Sequence, residues 1–296
     1  MDRAAFDALP RLAHADTDWP RARRSTYLVH QSFRYEYPSP ICDLRQRLQV
    51  IPPRRHGDQR TLGWGLEVSR ESRRRVGEDE FGNTVVCVEV DSVETDIGFD
   101  AWSVLERRAD ARRCWLPGND AWTLATPLTT ADAALADAAE EVACAGAGGL
   151  ALGERVCDWV YRHMVYRHDV TSIHTTAARA YELGAGVCQD YAHIALALCR
   201  RAGLPARYVS GHLLGEGGTH AWIEVMLADV DRPSRWHAVA LDPTHNRHAG
   251  LTYLTVATGR DYRDVAPTSG SYWAPVCGLL SVRKQAALVA VSYRDE

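Results

Sequence analysis

The sequence predicts an α+β fold, with a β-sandwich-like region followed by helices packed on an antiparallel sheet. Three observations carry this. Residues 25 to about 115 have the alternating, aromatic and β-branched texture of strands. Residues 131–203 have helical periodicity with recognisable caps and stops. Alternation returns after Pro205. The 296 residues are enough to bury a sizeable core in one large or two ordinary domains. The organisation expected is an arm (1–24), a β domain (25–115), a linker (116–130), and a core from 131 to 296 that includes the C-terminal strands.

The elements follow in order. Residues 1–24 read as a polar arm, partly helical. "STYLVHQSFRYEY" (25–37) alternates as a half-buried strand does. "RLQVIPP" (47–53) is a short apolar run stopped by prolines. "DEFGNTVVCVEV" (79–90) places a Gly-Asn turn before a strong strand. "LPGNDAWTLATPLTT" (116–130) has the prolines and glycine of a linker, and Thr130 is the expected cap of the helix that follows. "GGLALGERVCDWVYRHM" (148–164) is a second helix. Thr176 caps a short third one, which Gly184 stops. A fourth starts near Cys188 with Tyr191, Ile194, Ala195, Leu198 and Ala202 as its apolar stripe. "ARYVSGHLL", "THAWIEVML" and "RWHAVALDP" are strands. The final "LLSVRKQAALVAVSYRDE" reads as strands that end the core's sheet.

Composition narrows the function classes. The net charge of −4 lacks the basic excess of a nucleic-acid binder. No apolar run reaches membrane-span length, and the charged, proline-broken N-terminus lacks a signal-peptide core, so the expected location is cytoplasmic. The eight cysteines are scattered without a CxxC pair, which favours reduced thiols over disulfides or a zinc knuckle.

Chemistry gathers at "GAGVCQDYAH" (184–193). Two glycines precede Cys188, and the helix begins at it. Unpaired N–H groups at a helix N-terminus favour a thiolate, and they can also face a carbonyl oxygen. Cys199, inside the same helix, reads instead as a small core hydrophobe. A second pattern supports Cys188. "THAWIEVML" puts His220, Trp222, Glu224 and Met226 on one face, and "RWHAVALDP" does the same for Trp236, Ala238, Ala240 and Asp242. A hairpin centred near Asp231 sets His220 opposite Asp242, an imidazole beside a carboxylate that can fix its tautomer.

"GAGVCQDYAHIALALCRRAGLPARYVSGHL", "THAWIEV" and "LDPTHN" together resemble the transglutaminase-like core of the papain-like cysteine-enzyme superfamily. "YLVHQSFRYEYPSPI", "LQVIPP" and "DEFGN" are similar to the β domain that precedes this core in a bacterial branch, and "GRDYRDVAPTSG" is similar to that branch's segment after it. The resemblance implies a Cys188, His220, Asp242 triad acting on an amide or peptide carbonyl through a thioester acyl-enzyme. No cofactor and no metal are implied. The partners would be a peptide or protein substrate and, for transamidation, a primary amine. The family uses the backbone N–H of the cysteine and an upstream donor as the oxyanion hole. Trp159, Tyr166 and His168 are the upstream candidates, and none has a spacing that settles the matter. Gln189 matches the motif, and Trp222 is a candidate groove wall. His193 reads as core.

Other readings stay open at this point. His212, His220, His237, His245 and His248 invite a metal site, but they lack HExxH or paired-cysteine spacing, and His245 and His248 read as loop surface. A non-catalytic peptide-binding module is a further alternative. So is an acyltransferase that passes the acyl group to an amine, although water is the favoured acceptor.

Overall fold

The computed structural model describes residues 2–109, 115–144, 146, 148–232 and 234–293. It combines helices with sheets. The chain opens with helix α1 (Arg3–Asp7), capped by the Asp2 carboxylate on the N–H groups of Ala4 and Ala5. The arm is not free. Phe6 is buried among Leu28, Trp102 and Val104.

Seven strands follow: β1 (Ala22–Glu36), β2 (Ile41–Ile51), β3 (Arg55–His56), β4 (Gln59–Val68), β5 (Arg73–Glu78), β6 (Thr84–Val93) and β7 (Asp96–Arg108). They divide between two antiparallel sheets. Phe33 and Phe99 from one sheet meet Leu44, Leu48, Val86 and Val88 from the other in a shared core, which is sandwich packing. Period-2 alternation supplies it, since every second side chain of these strands points inward.

The stretch expected to be a linker is packed. Strand β8 (Leu116–Pro117) pairs with a core strand. Trp122 and Leu128 are buried, and Thr129 Oγ1 accepts a hydrogen bond from Arg200. Helix α2 (Ala133–Ala143) is capped by Asp132 rather than Thr130, because the Asp132 carboxylate reaches the Leu135 N–H at 2.9 Å while the Thr130 hydroxyl turns back to the Thr126 carbonyl. Helix α3 (Gly149–His163) and strand β9 (Val165–Tyr166) come next. Helix α4 (Ala177–Leu183) then has the expected Thr176 cap and Gly184 stop.

Strand β10 (Ala185–Gly186) leads into helix α5 (Cys188–Arg201). Strands β11 (Ala206–Leu213), β12 (His220–Ala228), β13 (Arg235–Asp242), β14 (Arg247–His248) and β15 (Tyr253–Gly259) build the antiparallel core sheet in the order β14-β13-β12-β11-β15. Ala221, Ile223 and Val225 of β12 pack with Ile194, Ala195 and Leu198 of α5. The α5 stripe is wider than its apolar residues suggest, for every residue from Gln189 to Arg200 is buried. His193 is fully buried and accepts a hydrogen bond from the Tyr262 N–H, and burial pushes its pKa down to about 3. It is a neutral core imidazole.

The C-terminal strands overturn one expectation. Strands β16 (Thr268–Trp273) and β17 (Leu279–Tyr293) do not extend the core sheet. β16 pairs with β2, and β17 pairs with β1 along its length, from Leu279 opposite Glu36 to Tyr293 opposite Ala22. The core sheet's edge at β15 is already occupied. Side-chain amides from the sandwich, Gln59 on Thr255 and Asn83 on Thr258, take its outward N–H and C=O groups. No helix among the described residues is long and apolar enough to cross a membrane.

Candidate active site

The site begins with two glycines whose absent side chains are required. Gly184 has φ +61°, the left-handed conformation that lets α4 end abruptly. A Cβ on Gly186 would lie 2.4 Å from the Asp190 carboxylate. That carboxylate needs the space, because it accepts hydrogen bonds from the Val187 N–H at 2.8 Å and the Thr171 hydroxyl at 2.7 Å. Asp190 thus closes the first turn of α5 from its third position and ties it to the 171 loop. Gly186 thus makes room for this carboxylate, while Gly184 serves the end of α4. Cys188 is left half-buried at the helix mouth.

His220 stands at the start of β12. The hairpin register differs from the expected one by two residues. Ile223 pairs with Leu241 and Glu224 with Ala240, which carries Asp242 across from Trp222 rather than His220. A two-residue shift preserves the face, so the ring of His220 reaches diagonally to Asp242, with Nε2 2.8 Å from Oδ2. Both side chains are buried. The other edge of the ring meets Cys188 and, at 3.3 Å from Nδ1, the Glu216 carboxylate. Burial alone would lower the His220 pKa. Hydrogen bonds to Asp242, Cys188 and Glu216 outweigh it and push the pKa up to about 11. His220 is therefore an imidazolium at neutral pH, donating from both nitrogens.

Asp242 serves two tasks with two oxygens. Oδ1 accepts the Thr244 N–H at 2.8 Å and shapes the turn after the strand. Oδ2 accepts from His220, from His245 Nδ1 at 2.8 Å and from the Tyr253 hydroxyl at 2.7 Å. Burial opposes its charge, but the hydrogen bonds of His220 and His245 prevail and hold its pKa well below the usual carboxylate range.

His245, read from sequence as loop surface, belongs to this cluster. Its Nδ1 donates to Asp242, and its Nε2 lies 3.3 Å from Glu216. Two imidazoles and two carboxylates form a closed ring: His220 and His245 each bridge Asp242 and Glu216. The hydrogen bond to His220 holds the Glu216 pKa below its ordinary value. Glu216 carried no motif signal that would have marked it, and Tyr253, legible only as a candidate aromatic groove wall, instead donates its hydroxyl to Asp242. His245 sits three residues past Asp242, a spacing that a turn closes, and that was the available clue. One ligand atom each from His220, Asp242 and His245 lie within 4.8 Å of one another, a cluster of a size to hold a metal ion.

The remaining candidates separate. Tyr166 of β9 runs beside Gly186 of β10, and its hydroxyl lies against the Cys188 backbone N–H. Burial, then proximity to Cys188, raises its pKa to about 12, so the phenol keeps its proton and can donate. Trp159 is not at the site. It is buried in α3, stacked on His163 at 4.0 Å, and its indole N–H points to Glu141. Gln189 donates to the Ser172 carbonyl at 3.3 Å and so braces the 171 loop. Trp222 is buried behind His220, with ring centroids 6.1 Å apart, and meets Tyr253 edge-on at 5.3 Å. It is a backing wall more than a groove surface. His168 meets the Tyr166 ring at 5.3 Å. Among the other histidines, His212 is buried with Nδ1 on the Gly218 carbonyl, and His248 pairs with Glu154.

Comparisons with known proteins agree with this architecture. The transglutaminase-like superfamily model matches residues 138–243, and the bacterial transglutaminase-like N-terminal region matches residues 27–106. An uncharacterized protein of Mycobacterium leprae is 36% identical over 124 residues, covering 38% of this chain and 42% of that protein. One from Mycobacterium bovis is 37% identical over 122 residues, 38% of each chain. The matches thus span less than half the length of either relative. A solved structure from Cytophaga hutchinsonii, described as a candidate cysteine protease, superposes with a TM-score of 0.73 at 20% identity over 93% of this chain and 94% of its own, which shows a shared fold. The chain therefore carries a transglutaminase-like core region at residues 138–243, preceded by a bacterial transglutaminase-like N-terminal region at residues 27–106.

Proposed function

We propose that this protein is a cysteine-dependent peptidase or amidase in which Cys188 is the nucleophile, His220 the acid and base, and Asp242 the residue that orients the ring. The observation that carries the reading is the position of His220, whose Nε2 lies 2.8 Å from the buried Asp242 carboxylate and whose pKa is raised by Asp242 and by the neighbouring Cys188. The working pair is a thiolate beside an imidazolium. The sulfur attacks an amide carbonyl, and the Cys188 N–H with the Tyr166 hydroxyl faces the developing oxyanion. His220 passes its proton to the leaving amine, which departs and leaves a thioester. Water, deprotonated by the now neutral His220, attacks the thioester, the thiolate leaves, and the carboxylic acid is released. The substrate class is a peptide, protein or related amide, and the setting is the cytoplasm.

A primary amine in place of water would give transamidation through the same thioester. Supplying a peptide library with and without a labelled primary amine distinguishes the two. Hydrolysis dominating at millimolar amine supports the peptidase reading, and label entering product in large excess overturns it. Abolition of turnover by iodoacetamide supports the thiol. Loss on chelation with alkylation harmless would assign the chemistry to a metal at the His220, Asp242, His245 cluster instead.

A further inference from the structure

Glu216 lies on the loop between β11 and β12, and that loop is braced along its length. The Leu214 N–H donates to the Thr252 carbonyl at 2.9 Å, and the Glu216 N–H donates to the Leu213 carbonyl at 3.1 Å. The His212 ring bonds the Gly218 carbonyl at 3.0 Å. The backbone thus presents the carboxylate at one place, beside His220. Its Oε2 lies 3.3 Å from His220 Nδ1, and its Oε1 lies 3.3 Å from His245 Nε2. The side chain is still 41% exposed. Both contacts are long for a charge-assisted hydrogen bond, and each carboxylate oxygen has two acceptor positions. Glu216 therefore has capacity for one more donor, from the solvent side.

The work of Nδ1 says which donor that is. With Nε2 committed to Asp242 at 2.8 Å, Nδ1 is the nitrogen left to exchange protons with the reacting groups. An amine that takes a proton from Nδ1 must come within about 3 Å of it. Glu216 Oε2 is 3.3 Å from the same nitrogen, so the amine and the carboxylate share one edge of the ring. The charge balance changes in step with the reaction. While His220 is an imidazolium, it offsets the Glu216 charge. Once His220 has given its proton to the leaving amine, the carboxylate loses that partner charge. A primary ammonium restores it, and water does not.

We propose that Glu216 binds the amine partner of the reaction, the primary amine that leaves in hydrolysis or arrives in transfer. This rests on the thioester at Cys188 and not on which acceptor prevails. In the transfer direction, the ammonium held by Glu216 gives one proton to solvent. The amine nitrogen attacks the thioester carbonyl, the C–N bond forms and the C–S bond breaks. A second proton passes to His220, the third stays on the amide nitrogen, and Cys188 leaves as the thiolate.

Partition of one acyl-enzyme tests this on the full chain. The acyl donor is p-nitrophenyl acetate, and the acceptors are water, methylamine and methanol. The proteins are the wild type, Glu216→Gln and Glu216→Ala, each corrected by the same protein alkylated at Cys188. Water and amine both need His220 as base, so damage to that base lowers both rates and leaves their ratio unchanged. Loss of an amine-binding carboxylate lowers the ratio itself. The ratio of amide to acetate should fall by about tenfold in each variant, the loss expected for one hydrogen bond between charged groups. The ratio of methyl ester to acetate, from an uncharged acceptor of similar size, should stay as in the wild type. Glu216→Gln keeps the shape of a half-exposed side chain, and Glu216→Ala gives a reading free of a new amide donor. An unchanged amide ratio, or amide and ester ratios falling together, overturns the assignment of Glu216 alone. A wild type that shows no alkylation-sensitive burst of nitrophenolate overturns the thioester reading and this assignment with it.

Discussion

Replacing Asp242 by Asn tests the heart of the site, because it keeps the shape of the side chain and inverts what one oxygen does. In the native protein Oδ2 accepts three hydrogen bonds, from His220, His245 and Tyr253. An amide nitrogen there would be a donor facing three donors. Flipping the amide restores the oxygen to the rings but turns NH₂ toward the Thr244 N–H that Oδ1 now accepts. Either way the His220 imidazolium loses its buried counter-charge. Breaking a buried pair by removing one partner costs about 3–5 kcal/mol, and disabling the carboxylate of a comparable triad lowers turnover by about 10⁴. The pH dependence gives a second signature. His220 is raised from 6.5 to about 11, so its contribution to stability is fully present below about 6.5 and is lost as pH rises through about 11. Asp242 is lowered from 3.8, so its contribution is present above that value and is lost as pH falls through its depressed folded value. The stability gap between wild type and Asp242→Asn should therefore be widest between 3.8 and 6.5 and should shrink as the solution becomes alkaline. Urea unfolding at about pH 5 and about pH 9, beside steady-state turnover and circular dichroism, measures all of this. A folded variant with turnover within a few-fold of wild type would refute the argument and transfer the orienting role to Glu216.

Three further outcomes follow from the same geometry. Gly186→Ala pushes a methyl into the Asp190 carboxylate and should destabilise by about 1–3 kcal/mol in urea while lowering turnover, because the first turn of α5 shifts; a neutral effect on both would mean that Asp190 does not hold that turn. Tyr166→Phe should lower kcat by about 10²–10³ with KM little changed, the signature of a donor used only in the transition state, whereas a pure KM effect would place Tyr166 in substrate binding. In limiting iodoacetamide, peptide mapping should find Cys188 labelled before Cys157 and Cys199, which are buried and whose thiols are pushed up by that burial, Cys199 to about 12; labelling of either buried thiol first would contradict the assignment of the nucleophile.

Local physics made much of this legible in the sequence. The Gly184 stop, the Thr176 cap and the helix starting at Cys188 depend on near neighbours, and all three are present. The face shared by His220 and Asp242 depends only on parity, so it survived a two-residue error in register. The position of the C-terminal strands was not legible, because it turns on which sheet edge is vacant. That was decided by Gln59 and Asn83 reaching across to β15, nearly 200 residues away in sequence. Trp159 failed as a site candidate for a related reason. Its helix turns it toward Tyr181 and His163, which no spacing from Cys188 could reveal.

The ring of His220, Asp242, His245 and Glu216 shows what a linear motif leaves out. A motif names Cys, His and Asp because their spacing recurs. It does not say what neutralises a buried carboxylate that takes three hydrogen bonds, or what shares the second nitrogen of a raised imidazole. Here Glu216 lies within 3.3 Å of that nitrogen, on the edge where Cys188 also bonds. The carboxylate and the sulfur therefore compete for one N–H. Strengthening the Glu216 contact turns the Nδ1–H toward the carboxylate, and weakening it leaves that N–H to the sulfur. His245 takes part in the same balance, since it holds Glu216 through Nε2 and Asp242 through Nδ1. Against the burial that lowers it, the basicity of His220 is raised most by Asp242 and then by Cys188 and Glu216, while His245 acts on it through its contacts with Asp242 and Glu216. For that reason a substitution at Glu216 or His245 should move the pH profile of turnover, and a substitution at Trp222 should not unless it displaces the ring.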